Sequence, residues 1–394
     1  MITPVEHGRR LAALQKAAAR HELDAFLVSA EESIYYLTGV SYRPLERPFF
    51  ILVRPEGAPS LLVPALEQEH LAGQPNIARV EAYWDYPSPP GQGWPERLRE
   101  LLAGVTSLGV EPTLTQEVAA GLAAWAPPVL PLVENLRLVK SPPEVAMLRQ
   151  AAHYADLAVA KVLAAAYYGV SELELFAQGR PVQLAIIRET AYEALTTQVL
   201  AAAWPAPLSA QPHGVPQVAD CLREGPHIAL GLLRVNGYAA ECERTFFLAP
   251  PGPELQEAFG IMQEARRRAL ALVRPGVPAA AVDLAAKDFL TDEGFGNNLL
   301  HRTGHGFGLG NHEGPWVAEG SPDILAENML ISVEPGIYLP GVGGVRHSDT
   351  TLVTRDGFEH LTKEPTDLAS LTLTGGKTLA RLRGFVIRRA AGLA

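Results

Sequence analysis

The sequence is poor in cysteine. Its 394 residues include only Cys221 and Cys242, too few for a disulfide framework. The fold must therefore rest on a buried apolar core, and both thiols are expected free, as in a reducing compartment. A positive charge balance is also missing. Lys and Arg number 33 against 43 Asp and Glu, a formal net charge of −10. That excludes nucleic acid as the main partner, because phosphate binding needs a basic face. Uncharged apolar runs of membrane-spanning length are absent: Ala155–Ala166 is interrupted by Asp156 and Lys161. The first segment, MITPVEHGRRLAALQKAAARHELD, lacks the apolar stretch of a secretion signal and reads as an amphipathic helix. A cytoplasmic protein without membrane contact is the expectation.

What is present is apolar substance. Hydrophobic residues make up 47% and charged residues 19%, enough to bury a sizeable core, and the length favours two domains. Residues 1–135 read as α/β. Strand-like runs at Ala25–Ser29, Phe49–Val53, Ser60–Val63 and Ile77–Tyr83 alternate with helical segments such as Ala65–Leu71 and Trp94–Leu102. The Pro/Gly-rich YPSPPGQG (Tyr86–Gly93) marks a loop. A second domain, 136–375, opens with Ser141-Pro-Pro-Glu144, a capping box ahead of a long helix. Leu148, Ala151, Ala152, Ala155, Val159 and Val162 then recur at helical spacing. This domain carries a faint internal echo. Gly169-Val170-Ser171 and Gly276-Val277-Pro278 each separate two helices ahead of strand-like sequence, suggesting two related ααββ units. Residues 376–394 hold Lys377, Arg381, Arg383, Arg388 and Arg389 and no acid. A solvated tail, an exposed helix or a helix on a partner subunit would each fit.

The residues that carry chemistry cluster in four Gly/Pro-flanked stretches of the second domain. SAQPHGVPQ holds His213. LGLLRVNGYAAECERTFFLAP holds Glu241 and Glu243, whose spacing along a predicted strand points both to one face. RTGHGFGLGNHEGP holds His305 and His312. ISVEPGIYLPGVGGVRHSDTTLV holds Glu334, Arg346, His347 and Asp349. Taken singly, each has an ordinary explanation as a turn, a solvated pair or a strand end. Four such stretches in one domain point instead to a shared site.

GHGFGLGNHEGP, SVEPGIYLPGVGGVR and GYAAECERTFF resemble the signature segments of the pita-bread peptidases, among them prolidase, aminopeptidase P, methionine aminopeptidase and creatinase. PHGVP and LRLVKSPPEVAMLRQA resemble the family's upstream segments. The resemblance covers nearly the whole chain and implies an α/β N-terminal creatinase-like domain followed by an α+β pita-bread catalytic domain. It also implies a homodimer acting on a small molecule or dipeptide.

Peptidases of this family hold two metal ions with two aspartates, a histidine and two glutamates. Hard divalent ions favour carboxylate oxygens, and a close pair needs bridging ligands. The histidine is matched by His305 and the first glutamate by Glu334. The second aspartate position is Glu241, one methylene longer. The first aspartate position falls on Leu230 or Gly231, and the last glutamate position on Ser348. Two of five ligands are thus lost. No resident metal is the first expectation. One zinc, manganese or cobalt ion on His305, Glu334 and Glu241 is the alternative, since three ligands plus water suffice for a catalytic ion. His347 or Asp349 could enter only through a shifted loop.

Creatinase is similar in another respect: it keeps the fold, uses no metal and cleaves a C–N bond. Its GYxxxxERT pattern is matched by Gly237-Tyr238 through Glu243-Arg244-Thr245. The resemblance implies that Glu243 and Glu334 hold a cationic group, with His213 as general acid/base. Tyr238 would contribute to substrate binding, and His312, with His213, would flank the scissile bond. Burying Glu241, Glu243 and Glu334 together needs a balancing cation, for which Arg346 and Arg244 are candidates, or a proton. In the first domain, SYRPLERPFF offers Arg43 and Arg47 for a substrate carboxylate. Three functions follow: a metal-independent C–N hydrolase of prolidase lineage, a one-metal Xaa-Pro peptidase, or a non-catalytic binding protein on the same fold.

Overall fold

The computed structural model describes residues 2–43, 45–85 and 87–392. The chain forms two compact units, Met1–Arg137 and Leu138–Ala394. Among the described residues, no helix is long and apolar enough to cross a membrane.

The first unit begins with α1 (Pro4–Arg20), capped by the Thr3 hydroxyl, which accepts the Glu6 N–H, and started by Pro4. Its sheet has the order β4-β3-β2-β1-β5, from β1 (Ala25–Val28), β2 (Phe50–Val53), β3 (Ser60–Pro64), β4 (Arg79–Tyr83) and β5 (Leu108–Val110). Between these run α2 (Glu31–Thr38), α3 (Gln68–Leu71) and α4 (Trp94–Leu101), followed by α5 (Gln116–Gly121) and α6 (Leu132–Leu138). Leu27, Phe50, Leu52 and Leu62 on the sheet pack with Trp94, Leu98 and Leu101 of α4. The helix expected over Ala65–Leu71 is instead a 3₁₀ turn, Ala65–Glu67, followed by the single turn of α3. β5 has only three residues, too few for a periodic signal. The expected loop is irregular over residues 87–93, and its Tyr86 lies outside the described residues.

The second unit opens with α7 (Pro142–Ala165). The Ser141 N–H donates to Glu144 Oε2 at 3.0 Å, and the six apolar residues at helical spacing are all buried. Then come α8 (Glu172–Phe176), α9 (Gly179–Glu189), β6 (Gln198–Trp204), β7 (His227–Val235) and β8 (Tyr238–Phe246). α10 (Pro253–Leu270) and α11 (Ala279–Leu290) precede β9 (Gly304–Gly306), β10 (Glu313–Val317) and β11 (Leu330–Ser332). β12 (Gly336–Leu339) and β13 (Gly343–Arg346) form a hairpin before β14 (Ser348–Thr354) and β15 (Gly357–His360). The main sheet runs β10-β9-β11-β14-β8-β7-β6, with β15 also on β14. α7 packs so closely on β7 that a Cβ at Gly231 would meet the Ala155 carbonyl oxygen at 2.5 Å.

The internal echo is present in the backbone. Gly169 and Gly276 both take positive φ, +87° and +85°. The Gly169 N–H donates to Leu222 O and the Gly276 N–H to Leu325 O, each at 2.8 Å. Isolated antiparallel bridges, Ser171 with Cys221 and Pro278 with Ile324, follow at matching places. The basic C-terminal segment forms α12 (Thr378–Ala390). Arg388 Nη1 donates to Glu174 Oε2 at 2.7 Å, and Gly384 lies against Glu174 and Tyr167, so α12 is anchored within its own unit.

Candidate functional site

Strand parity brings the first two carboxylates together. Every residue of β8 is buried, and Glu241 and Glu243 lie on the same face of it. Cross-strand register adds the neighbours. Leu230 on β7 and Ser348 on β14 both stand opposite Glu243, so Leu230, Glu243 and Ser348 form one rung. Gly231 pairs with Cys242 and faces α7, so Leu230 is the residue on the carboxylate face.

Arg346, the last residue of β13, reaches Glu243 with two nitrogens. Its Nη2 donates to Oε1 at 2.5 Å, and its Nε donates to Oε2. Both side chains are almost fully enclosed, so this bidentate pair acts in a low-dielectric interior. Its third nitrogen, Nη1, donates to the Tyr338 hydroxyl at 3.0 Å. That hydroxyl lies 2.7 Å from His301 Nε2, and His301 Nδ1 lies 2.7 Å from the Arg302 carbonyl oxygen. The carbonyl can only accept, so Nδ1 carries the hydrogen and Nε2 accepts from Tyr338. One relay therefore runs from His301 through Tyr338 and Arg346 to Glu243.

His305 sits on β9, between two glycines whose side-chain space is filled. A Cβ at Gly304 would meet Ser332 O, and one at Gly306 would meet Gly314 O, both at 2.1 Å. His305 Nδ1 is 3.1 Å from Gly306 O, which fixes the hydrogen there and turns Nε2 inward. Nε2 lies 3.1 Å from Glu334 Oε1, which also accepts from the Ser332 hydroxyl at 3.1 Å. The His305 and His312 rings lie 3.9 Å apart. His312 belongs to the glycine-rich loop, which is pinned where Glu313 meets Lys140 at 3.2 Å.

The electrostatics follow from burial. Glu241 is pushed up to about 8, first by burial and then by the charges of Glu334 and Glu243. Burial also raises Glu243, against the pull of Arg346. For Glu334 the burial penalty is overcome by His305 and Arg346, which hold its carboxyl below the usual range. His305 is raised in return, because Glu334 and Glu241 outweigh its burial. Burial and the His305 charge lower His312 to about 4, and burial lowers His301. Two sets of ligand atoms lie within 4.8 Å of one another: Glu241, His305 and His312, and Glu241, Glu243 and Glu334. Glu241 Oε1 is buried without a hydrogen-bond partner.

Other expected residues stand elsewhere. Tyr238 has the opposite strand parity from Glu241, and its hydroxyl donates to Glu144 Oε1 at 3.3 Å, so it belongs to the contact with α7 and not to the carboxylate face. Arg244 likewise faces away from the glutamates. It donates to Asp349 Oδ1 at 2.7 Å, and Arg266 holds the other Asp349 oxygen. Asp349 pairs with Cys242 in register, and His347 packs edge-on against Phe259, so neither joins the glutamates. His213 is exposed on a loop anchored by Trp204, whose Nε1 donates to Gly214 O; its charge reaches His301 and His312. In the first unit, Arg47 is bound to Asp85 at 2.6 Å and Glu46 at 3.0 Å, and Arg43 is exposed. Sequence reading missed His301, Arg302 and Tyr338. The His-x₃-His spacing of His301 and His305, and the tyrosine of EPGIY, were the available signals.

Comparison with known proteins finds relatives for both domains. Residues 10–139 match the Creatinase/Prolidase N-terminal domain, and residues 146–355 match metallopeptidase family M24. An uncharacterized peptidase of Staphylococcus aureus (strain USA300) is 30% identical over 344 residues, 86% of this chain and 95% of that protein. Among solved structures, the prolidase of Pyrococcus horikoshii OT3 is 28% identical with a TM-score of 0.77, covering 91% of this chain and 99% of that one. The dipeptidase PepE of Mycobacterium ulcerans is 29% identical with a TM-score of 0.80, covering 93% and 98%. The Xaa-Pro dipeptidase of Bacillus anthracis is 27% identical with a TM-score of 0.75, covering 92% and 99%. With a creatinase-like domain ahead of a pita-bread domain, the chain belongs to metallopeptidase family M24 and is a prolidase-like hydrolase acting on peptide bonds.

Proposed function

We propose that this chain hydrolyses a C–N bond in a small substrate without the two-ion centre that its resemblance to prolidases implies. One observation carries the reading: the rung Leu230–Glu243–Ser348. Two of its three members are the positions where the resemblance expects carboxylate ligands, and neither leucine nor serine supplies one. The third, Glu243, has both oxygens bonded to Arg346, so a fixed guanidinium stands where a second cation would be needed. In this reading Glu241, which both ligand sets share, cannot serve two ions while Glu243 is held by Arg346.

In this reading the charges balance within the protein. Arg346 neutralises Glu243, His305 neutralises Glu334, and Glu241 keeps a proton near neutral pH. Water attacks the substrate carbonyl carbon and passes a proton to His213. His312, held neutral, donates an N–H to the carbonyl oxygen as charge develops there. Glu241 delivers its proton to the leaving nitrogen as the C–N bond breaks, giving a carboxylic acid and an amine. His213 then returns a proton to Glu241, and the cycle closes.

A second reading is favoured by the unpartnered Glu241 Oε1 and by His305 Nε2, which is turned toward Glu334. One divalent ion fits His305, Glu241 and Glu334, and would supply Lewis-acid polarisation of the carbonyl. Elemental analysis after chelator washing and reconstitution with zinc, manganese or cobalt separates the two. Xaa-Pro dipeptides and small cyclic-amide and amidino substrates are assayed in parallel, with and without chelator. Turnover that survives chelator and is lost in His213→Ala supports the first reading, and turnover requiring one ion per chain supports the second. Two ions per chain overturns both.

A further inference from the structure

The helix α12 stands apart from the carboxylate site and follows the residues, 146–355, that match the family. Its inner face is fixed. Gly384 is buried, and a Cβ there would meet Glu174 Oε1 at 1.7 Å. Arg388 Nη1 donates to Glu174 Oε2 at 2.7 Å, and the Arg381 Cζ lies 5.4 Å from the centre of the Tyr167 ring. Lys377, just ahead of the helix, donates from Nζ to Leu163 O at 3.2 Å. These contacts hold the helix on α7 and α8 and decide which side of it faces outward.

That outer side is apolar. Leu382 and Val386 are each two residues from Gly384, about 200° around the helix, and Leu379 completes an i, i+3, i+7 stripe. Leu379 and Leu382 are both 61% exposed, Val386 is 64% exposed, and Phe385 at the edge of the stripe is 49% exposed. Arg383 and Arg389 each stand three residues from Val386, one on either side of the stripe. Neither they nor Arg381 has a carboxylate within ion-pairing distance among the described residues. An apolar stripe held outward on an anchored helix marks a contact surface.

Charge selects what it meets. Residues 376–394 hold five cations and no acid, so a second copy of α12 would set arginine against arginine. Apolar side chains edged by unpaired arginines match an anionic bilayer, whose phosphates lie just above its acyl chains. The formal net charge of −10 belongs to the whole chain. Salt screens charges beyond about 8 Å, so the helix meets a surface with its own cations. A helix lying in the interface needs no membrane-spanning length.

We propose that α12 seats the protein on an anionic lipid membrane. Leu379, Leu382, Phe385 and Val386 enter the headgroup region, and Arg381, Arg383 and Arg389 meet lipid phosphates. The binding is independent of the reaction at the carboxylate site, and it would bring the hydrolase to a membrane surface without anchoring it there permanently.

Co-sedimentation of the full chain with lipid vesicles tests this, using phosphatidylcholine alone and phosphatidylcholine mixed equally with phosphatidylglycerol. The anionic vesicles are expected to take up the protein at least about ten-fold more strongly, and about 1 M salt should abolish the difference. Leu382→Ala with Val386→Ala removes apolar surface while alanine favours the helix, and should lower partitioning by at least about ten-fold. Arg383→Gln with Arg389→Gln should lower it as much. Arg383→Lys with Arg389→Lys should stay within about three-fold of the wild type, because a bilayer surface responds to charge. None of these substitutions touches the buried face, so circular dichroism and thermal midpoints should match the wild type. Equal uptake by the two kinds of vesicle, uptake by neither, or partitioning unchanged in the alanine or the glutamine pair overturns the proposal. So does a lipid-free dimer, seen by sedimentation velocity, that the alanine pair dissociates, because a second copy then covers the stripe.

Discussion

Removing Arg346 gives the sharpest test of how this site is held together. Arg346 and Glu243 make two charge-assisted hydrogen bonds, and their side chains are only 10% and 4% exposed. Arg346→Met keeps volume and apolar character but leaves a buried carboxylate with no counter-charge. Breaking such a pair by removing one partner costs about 3–5 kcal/mol. Glu243→Gln strands the guanidinium and should cost about as much. The double variant strands neither charge, so its loss should be smaller than the sum of the singles by at least about 2 kcal/mol. The single variant also carries a pH signature. Arg346 now pulls the Glu243 carboxyl down against burial, so its loss raises that group further. A carboxyl raised in the folded state gives stability that is complete below its unfolded value near 4.5 and is lost as pH rises through the folded value. Arg346→Met should therefore lose more stability at pH 8 than at pH 5. Urea unfolding midpoints of the four proteins at both pH values measure this. Additive single effects, or a deficit independent of pH, would refute the argument that the pair is a closed, desolvated unit.

Three further outcomes are expected. Glu172 is fully buried with Oε1 unpartnered, and burial, with Asp220 nearby, raises it to about 8. Stability is thus lost between pH 4.5 and 8, and Glu172→Gln should recover up to about 4 kcal/mol at pH 8.5 and little at pH 4.5, read by thermal denaturation. Asp349 is held at about 2 by Arg244 and Arg266 against its burial. Its contribution should be complete above pH 3.8 and fade as pH falls through 2, while Asp349→Asn should cost at least about 3 kcal/mol at pH 7 in chemical unfolding. Gly231→Ala would force a methyl against the backbone of α7, so it should destabilise by about 1–3 kcal/mol although Gly231 touches none of the glutamates, as unfolding midpoints would show.

Much of the architecture was legible because short-range rules govern it. Ser141 and Glu144 start α7 through a local hydrogen bond, and the helical spacing of Leu148 through Val162 marks the face it buries. Strand parity, a property of two residues on one chain, puts Glu241 and Glu243 on one face. The same parity excludes Arg244 and Tyr238 from that face, a consequence the motif match alone obscured. Alignment to a motif left Leu230 and Gly231 equivalent; the contact of Gly231 with Ala155 separates them.

What the sequence determined by itself was therefore the inventory: the helices and most strands, the glutamates and histidines, and the absence of carboxylates at Leu230 and Ser348. Only the tertiary structure decided who answers whom. That Glu243 lies in one rung with Leu230 and Ser348 depends on the registers of β7, β8 and β14, set by the β7–β8 hairpin and by the pairing of β8 with β14, about a hundred residues further on. That Arg346 spans Glu243 and Tyr338, and Tyr338 reaches His301, depends on hairpin β12–β13 closing over β8. Hydrogen bonds and charge pairs form wherever burial removes water, and burial is a property of the assembled chain, which no local pattern of residues records.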